Sequence, residues 1–202
     1  MTKQNIVIIK YNAGNIRSVN NALLRLEQEG EITADPEKII KADKVIFPGV
    51  GEASTTMKHL NETGLADLIK TLTQPVLGIC LGMQLMGSHS EEGDVNCLGI
   101  FDEKVKKFQL PDPNSQNLKI PQMGWNQITD LKSDLFDVSL EGKYVYFVHS
   151  YYVALGSDTA ATTNYIHPYS SALQRDNFFA TQFHPEKSGP VGEKILKNFL
   201  KL

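Results

Sequence analysis

One stretch organises the sequence of this chain: Val76-Leu77-Gly78-Ile79-Cys80-Leu81-Gly82-Met83-Gln84-Leu85. Its apolar first half predicts a short buried strand, and the residues after Cys80 predict a helix. A glycine stands two residues to each side of Cys80, as a strained strand-to-helix turn requires, because a Cβ atom there would clash. Cys80 would lie at the positive end of the helix dipole, where thiolate is favoured. The stretch alone leaves open the commoner alternative, a buried and inert cysteine.

The bulk composition indicates one globular domain over residues 1–202. Hydrophobic residues make up 41% of the chain and charged residues 21%, which is ordinary for a globular protein. The net charge of −3 offers no basic excess to attract nucleic acid or an acidic membrane surface. No apolar run approaches the roughly 20 residues of a membrane span, and two cysteines make no disulfide framework. We therefore expect a cytoplasmic protein without nucleic-acid or membrane partners.

Strands and helices alternate through the first part of the chain. The patterns predict a strand over 6–9, a helix over 16–26 closed by Gly30, a short helix over 37–42, a strand over 44–47 stopped by Pro48, a glycine-rich loop over 48–51, a helix carrying Met57 and Leu60, a helix over 65–72, and the strand before Cys80. Turns are expected over 11–15 and 33–36. Short connections between alternating elements favour an α/β fold with a mostly parallel, doubly wound sheet flanked by helices.

After Gly93 the pattern changes to strands with few long helices. The predicted strands cover 104–110, 125–129, 144–148, 159–163 and 178–183. An exposed loop is expected over 111–115, and a helix carrying Val191, Ile195 and Phe199 ends the chain. We therefore expect a more antiparallel C-terminal half, with no linker or internal repeat between the halves.

His184-Pro185-Glu186 follows a predicted buried strand and supplies the groups that a cysteine nucleophile needs. Side chains two residues apart on an extended chain point the same way, so His184 and Glu186 are expected to converge. His184 would deprotonate Cys80 and later protonate the leaving group, while Glu186 would hold the imidazole tautomer. Taken singly, each is more commonly a satisfied loop histidine or a solvated charge. Together with Cys80 they predict a catalytic triad.

Two backbone segments are candidates for the oxyanion hole that acyl transfer requires. One is the N–H of Leu81, directly after the nucleophile. The other is the loop Pro48-Gly49-Val50-Gly51, whose glycines let the backbone approach a substrate. Both would lie at the carboxyl ends of parallel strands, where ligands of such sheets bind. The alternative for the loop is an ordinary tight turn.

Metal and nucleotide sites lack sequence support. The histidines show no H-x-x-x-H spacing and the cysteines no C-x-x-C spacing: His59, His89, His149, His167, His184, Cys80 and Cys97. A Walker loop is absent, and Gly49-Val50-Gly51 does not continue to a G-x-x-G pattern. We expect neither a metal nor a cofactor.

Two motifs resemble those of a known family. Gly78-Ile79-Cys80-Leu81-Gly82-Met83-Gln84 followed by His184-Pro185-Glu186 is similar to the class I (triad) glutamine amidotransferases. Further stretches resemble, within that class, the glutaminase subunits of imidazole glycerol phosphate synthase, an enzyme of histidine biosynthesis: Gly14-Asn15-Ile16-Arg17-Ser18-Val19, Pro48-Gly49-Val50-Gly51, Met123-Gly124-Trp125-Asn126, Phe147-Val148-His149-Ser150-Tyr151-Tyr152 and Gln182-Phe183-His184-Pro185-Glu186-Lys187-Ser188-Gly189. The ordered combination spans nearly the whole chain and is more specific than any single motif.

This resemblance implies a reaction and a partner. Cys80 would attack the side-chain amide of glutamine, giving a glutamyl thioester and ammonia, and water would then release glutamate. The ammonia would pass to a separate (β/α)₈ synthase subunit in a heterodimer. That subunit would form imidazole glycerol phosphate and an aminoimidazole carboxamide ribotide.

The resemblance also implies roles for individual residues. The positions that match the substrate-holding residues are Gln84, Ser150 and Tyr151. The positions that match the oxyanion region are Gly51 and Leu81. Trp125 and Lys187 fall in segments that resemble the synthase-facing surface, although an ordinary core aromatic is an equal alternative for Trp125.

Two positions depart from the family pattern. Asn12, after Tyr11, stands where many members have an acidic residue, and Gln122 stands where many have histidine. Neither belongs to the triad, so these departures concern the interface or the coupling to the partner.

Three alternatives remain open at this stage. One is a paralogous amidotransferase that supplies ammonia for a modified surface sugar. The second is a catalytically silent scaffold or binding module, against which the intact Cys80, His184 and Glu186 argue. The third is a hydrolase or peptidase built on the same elbow.

Overall fold

A computed structural model of the chain describes residues 4–11, 16–111 and 118–202. The expected turn over 11–15 and loop over 111–115 fall largely outside the described residues, as do Asn12 and the Gly14-Asn15 start of one family-like stretch. None of the helices in these three ranges is long and apolar enough to span a membrane.

Strands and helices alternate in the first half of the chain. In order they are β1 (Ile6–Ile9), α1 (Ile16–Arg25), β2 (Gly30–Thr33), α2 (Pro36–Ile40), β3 (Lys44–Gly49), α3 (Ala53–Glu62), α4 (Leu65–Lys70), β4 (Val76–Cys80) and α5 (Leu81–Met86). The second half holds β5 (His89–Ser90), β6 (Val95–Asn96), β7 (Lys104–Lys107), β8 (Gln122–Gln127), β9 (Tyr144–His149), β10 (Tyr151–Val153), β11 (Thr159–Tyr165), β12 (His167–Arg175), β13 (Phe178–Thr181) and α6 (Gly189–Phe199). Short 3₁₀ helices occur at Val138–Leu140 and Pro185–Lys187.

A parallel sheet forms the centre of the molecule. Its strands run in the order β2-β1-β3-β4-β13, and every pair among these neighbours is parallel. Beyond β13 the sheet continues through β12, β10 and β7, and each successive pair from β13 to β7 is antiparallel. β8 and β9 form a separate antiparallel pair. The expected α/β fold with a more antiparallel second half is confirmed.

Helices cover both faces of the central sheet, which explains why its inner strands β1 and β4 are apolar. In β1, Val7 and Ile9 pack into one core cluster with α2, α3, α4 and α5, whereas Ile6 and Ile8 pack into another with α1 and α6. All four residues are fully buried. A strand buried on both faces has no polar side, so its sequence shows no alternation.

The structure corrects the expectation for Gly30. This residue does not close α1, which ends at Arg25; it opens β2 and pairs with Ile6. β2 is a short edge strand whose residues Glu31 and Ile32 are exposed, so it lacks the apolar run that marks a buried strand.

Pro48 does not stop β3 either. The strand continues to Gly49, with Pro48 opposite Ile79 of β4. The ladder between β3 and β1 ends at Ile46, so Pro48 interrupts no pairing on that side.

Candidate active site

Cys80 occupies a strained elbow between β4 and α5. Its backbone lies at φ 54° and ψ −108°, a conformation that residues other than glycine adopt only at a cost in free energy. Such conformations are concentrated at functional sites. A Cβ atom on Gly82 would lie 1.9 Å from the carbonyl oxygen of Phe47, and one on Gly78 would lie 2.8 Å from Met86 Sδ. The predicted reason for the two glycines, a steric clash, is confirmed.

His184 and Glu186 form a buried pair beside this elbow. His184 Nδ1 lies 2.8 Å from Glu186 Oε1, and the two side chains are 2% and 0% exposed. The predicted convergence occurs, but for a different reason than expected. His184 is the extended residue that caps the 3₁₀ helix Pro185–Lys187, so a turn rather than a continuing strand brings Glu186 back to the imidazole.

The surroundings of His184 favour its protonated form. Burial alone lowers the pKa of His184, but hydrogen bonding and charge attraction from Cys80 and Glu186 outweigh that effect and raise the pKa to about 10. Because Glu186 engages Nδ1, the opposite ring nitrogen is the one available to Cys80. An imidazolium next to a sulfur stabilises thiolate, so the pair is suited to nucleophilic chemistry.

A cleft of about 380 Å³ opens above Cys80. Its volume is within the range of about 300–1,000 Å³ found for small-molecule sites. The sequence-predicted residues that line it are Gly51, Cys80, Leu81, Gln84, Ser150, Tyr151 and His184. It lies beyond the carboxyl ends of β3 and β4, where ligands of parallel sheets bind. One cavity therefore unites Cys80, the predicted nucleophile, with both oxyanion candidates and the positions implied for substrate.

The glycine-rich loop after β3 packs directly against the elbow. A Cβ atom on Gly49 would lie 2.8 Å from Leu81 Cβ, so only glycine allows this approach. Gly51 has φ +128° and is exposed. Tyr11 donates its hydroxyl hydrogen to the carbonyl oxygen of Pro48, which anchors the start of the loop. Leu81 and the loop residues Val50 and Gly51 thus line the same cleft as Cys80.

Three residues of the site were not singled out from the sequence. Glu92 lines the cleft, and its Oε2 accepts a hydrogen bond from the Ala53 N–H at 2.9 Å. His149 lines it too, with burial lowering the pKa of its ring to about 4. Gln182 is fully buried and donates to Cys80 Sγ. Gln182 and His149 stood inside family-like stretches, whereas Glu92 carried no local signal.

Trp125 and Lys187 lie away from the lining of the cleft and near each other. The Trp125 ring is 6.1 Å from that of Tyr146, and Lys187 Nζ is 5.9 Å from the centroid of the same Tyr146 ring. Trp125 is 56% exposed and Met123 66%. The alternative that Trp125 is an ordinary core aromatic is therefore wrong. We call Met123, Trp125, Tyr146 and Lys187 the aromatic surface.

Within residues 4–11, 16–111 and 118–202, no three histidine, cysteine, aspartate or glutamate side chains are grouped so that they could hold a metal ion. The groups that the cleft presents include a cysteine and a histidine held by a carboxylate.

Comparison with known proteins gives matches over nearly the whole chain. Residues 6–202 match the family model described as glutamine amidotransferase class-I. The chain is 62% identical over 197 residues to the imidazole glycerol phosphate synthase subunit HisH of Bacteroides fragilis, covering 98% of this chain and 99% of that protein. It is 46% identical over 200 residues to the subunit of the same name from Escherichia coli, covering 98% and 100%.

Solved structures share the fold at low sequence identity. A crystal structure described as a glutamine amidotransferase superimposes with a TM-score of 0.72 at 19% identity, covering 96% of this chain and 97% of that one. PurLQS from Thermotoga maritima gives a TM-score of 0.70 at 16% identity, covering 99% of each chain. These likenesses concern the fold alone.

Proposed function

Since the chain belongs to the class I glutamine amidotransferases, and within them to the HisH subunits of imidazole glycerol phosphate synthase, we propose that it hydrolyses glutamine and supplies the ammonia to a separate synthase subunit. The observation that carries the proposal is the buried 2.8 Å pair of His184 and Glu186 beside the strained Cys80, inside a cleft of small-molecule size. These are the groups that a cysteine-dependent amide hydrolysis requires.

In the first half of the proposed cycle, the Cys80 sulfur attacks the amide carbon of glutamine. The carbonyl electrons move onto oxygen, which accepts hydrogen bonds from the Leu81 N–H and from the loop at Gly51. His184 gives its proton to the amide nitrogen, the C–N bond breaks and ammonia leaves. Glu186 holds the imidazole through Nδ1 and stabilises its charge. This half produces a glutamyl thioester and ammonia.

In the second half, water hydrolyses the thioester. His184, now neutral, removes a proton from a water molecule that occupies the place left by ammonia. The water oxygen attacks the thioester carbon, the C–S bond breaks, and the new carboxyl group releases its remaining proton to solvent as glutamate leaves. Cys80 is returned as the thiolate beside a protonated His184, ready for another turnover.

The remaining cleft residues suit the charged end of glutamine. Glu92 supplies a carboxylate at the cleft that can accept hydrogen bonds from the α-ammonium group. Gln84 donates both of its amide hydrogens within the protein, to Tyr151 O at 3.0 Å and to Gln182 Oε1 at 2.9 Å. Its carbonyl oxygen is therefore the group it presents to substrate. Ser150 and Tyr151 border the same space.

The proposed partner is a (β/α)₈ cyclase or synthase subunit bound as a heterodimer through the aromatic surface. Exposed Trp125 and Met123 supply a large apolar area of the residue types enriched at interface centres, and Lys187 lies beside them. The partner would use ammonia to form imidazole glycerol phosphate and an aminoimidazole carboxamide ribotide, in the cytoplasm. A surface-sugar pathway is not favoured, because a relative 62% identical over 98% of the chain is an imidazole glycerol phosphate synthase subunit.

The test is to co-express the chain with such a synthase and assay product formation from two nitrogen sources. The wild-type complex is expected to form product from glutamine and from ammonium salts, whereas the Cys80→Ala complex should use ammonium salts only. Glutamate release by Cys80→Ala at the wild-type rate would contradict the assignment of the nucleophile. Failure to form product from glutamine with the wild-type pair would contradict the proposed pathway.

A further inference from the structure

Gln182 brings a buried amide group to the sulfur of Cys80. The side chain is fully buried at the end of β13, and its Nε2 donates to Cys80 Sγ at 3.7 Å, within the range for a hydrogen bond to sulfur. The backbone N–H of Gln182 is already bonded to Ser171 O at 2.9 Å. This backbone hydrogen bond holds the chain in place at the end of the strand. The side-chain amide is therefore not needed for that purpose.

A chain of hydrogen bonds decides which end of the Gln182 amide faces the sulfur. It starts at Tyr151 O, a backbone carbonyl that can only accept. Gln84 must turn its NH₂ group toward that oxygen, at 3.0 Å, and the same NH₂ group donates to Gln182 Oε1 at 2.9 Å. With its oxygen committed to Gln84, Gln182 can only present its NH₂ group to Cys80. The orientation follows from the network and needs no assumption about either amide.

A donor aimed at sulfur discriminates between the two forms of cysteine. Thiolate accepts hydrogen bonds strongly, whereas the neutral thiol is a weak acceptor. The elbow already places the sulfur beside His184 and at the start of α5. The Gln182 NH₂ group approaches the same atom from a buried position, where a hydrogen bond to a charged group is most effective.

We propose that Gln182 is a further residue of the catalytic site, which donates a hydrogen bond to the Cys80 sulfur, holds that sulfur in place and favours its ionised form. Gln84 acts through Gln182 and is a positioning residue in this respect. Because Gln84 also lines the cleft, the network joins the substrate space to the nucleophile. The inference rests on Cys80 being the nucleophile of the proposed function.

The experiment measures the rate of Cys80 alkylation by iodoacetamide as a function of pH, in the full chain. A Cys97→Ser background removes the second thiol, although burial already raises the pKa of Cys97 to about 12 and makes it slow to react. Gln182→Leu removes the donor with little change of size, and Gln182→Glu replaces it with a carboxylate. Ser171→Ala is the matched control, because the buried Ser171 hydroxyl has no hydrogen-bond partner among the described residues.

Gln182→Leu is expected to raise the pH of half-maximal alkylation by about one unit, since a hydrogen bond to a charged group is lost. At a pH below the alkylation midpoint, its kcat/KM for glutamine should be about tenfold lower than that of wild type, and the loss should disappear above that midpoint, as a loss of thiolate predicts. Gln182→Glu should raise the half-maximal pH further, and Ser171→Ala should leave it unchanged. If the role of Gln182 were purely structural, kcat/KM of Gln182→Leu would not return toward the wild-type value at higher pH.

An alkylation profile of folded Gln182→Leu identical to that of wild type would overturn the proposal. The result is independent of glutamine hydrolysis, so it is distinguishable from a failure of the proposed function. If neither variant folds, NMR of the unaltered chain decides. The Gln182 side-chain amide signal should shift with the same midpoint as alkylation, and this shift should vanish in Cys80→Ala. A shift that persists without the sulfur contradicts the proposal.

Discussion

His184 Nδ1 lies 2.8 Å from Glu186 Oε1, and the two side chains are only 2% and 0% exposed. Glu186→Gln keeps the shape but removes the charge that holds the imidazole and stabilises its protonated form. We expect kcat for glutamate release to fall by roughly 10²-fold or more, in steady-state assays. Glu193→Gln is the matched control, because Glu193 pairs with Arg25 on an exposed face of α6. Comparable losses in both variants would show that Glu186 has no special role.

The strain at Cys80 predicts an inverted order of stability for two small replacements. At φ 54° and ψ −108° glycine is favoured over alanine, whereas at ordinary positions glycine is less stable. Cys80→Gly should therefore have a free energy of unfolding about 1 kcal/mol higher than Cys80→Ala. Chemical denaturation of the two inactive variants measures the difference. A lower stability of Cys80→Gly would mean that the elbow stores no strain.

The contact between α5 and β3 leaves no room for a side chain at Gly82. A Cβ atom there would lie 1.9 Å from the carbonyl oxygen of Phe47, which belongs to a strand and cannot move freely. Gly82→Ala should cost roughly 3 kcal/mol or more of unfolding free energy. Gly64→Ala is the control: it introduces the same atom at φ +73° with nothing within 4 Å, so only backbone strain is added. Equal destabilisation of the two variants is the result that contradicts the steric argument.

Glu92 is expected to govern the affinity for glutamine rather than the chemical step. Glu92→Gln removes the carboxylate proposed to accept hydrogen bonds from the α-ammonium group, far from the scissile amide bond. KM for glutamine should rise about tenfold or more, with kcat little changed, as for an interaction equal in ground and transition states. Its neighbour Glu91, which accepts from the Lys107 N–H outside the cleft, provides the control Glu91→Gln. A fall in kcat without a change in KM would be inconsistent with this role.

Because His149 is buried, we expect the free energy of unfolding to fall in mild acid. Burial lowers the pKa of His149 to about 4, against 6.5 for an ordinary histidine. Below pH 6.5, His149 binds a proton in the unfolded chain but stays neutral in the folded chain. The free energy of unfolding therefore falls as the pH drops toward 4, by up to about 3 kcal/mol. His149→Gln should show a shallower dependence over this range in denaturation experiments. His59→Gln, in the partly exposed last turn of α3, should retain the wild-type slope, and an equally steep slope in His149→Gln would refute the prediction.

Much of the central sheet was predictable because its strands are buried on both faces. β1 and β4 are continuous apolar runs, and α3 and α6 show helical spacing of apolar residues. β12 was not predicted, although it is one of the longest strands. It contains Pro168 and the fully buried Ser170 and Ser171, residues with little strand preference. Pairing with β11, β13 and β10 supports it, and that support comes from outside the segment.

The residues of the site can be separated in the same way, into those predicted from local sequence and those brought together by strand pairing. The elbow glycines, Cys80 and the pair of His184 and Glu186 were identified from the sequence, because each is constrained by residues within a few positions along the chain. The bond from Gln182 to Cys80 joins residues 102 positions apart, and the one from Gln84 to Gln182 spans 98. Those contacts exist because β13 pairs directly with β4, a choice of strand neighbour that no local pattern encodes. The sequence by itself determined the turn that presents the Cys80 sulfur and the pairing of His184 with Glu186, since local sterics and turn chemistry require particular residues there. Only the tertiary structure decided which buried amide contacts the sulfur and which carboxylate lines the cleft, because strand order sets those distances.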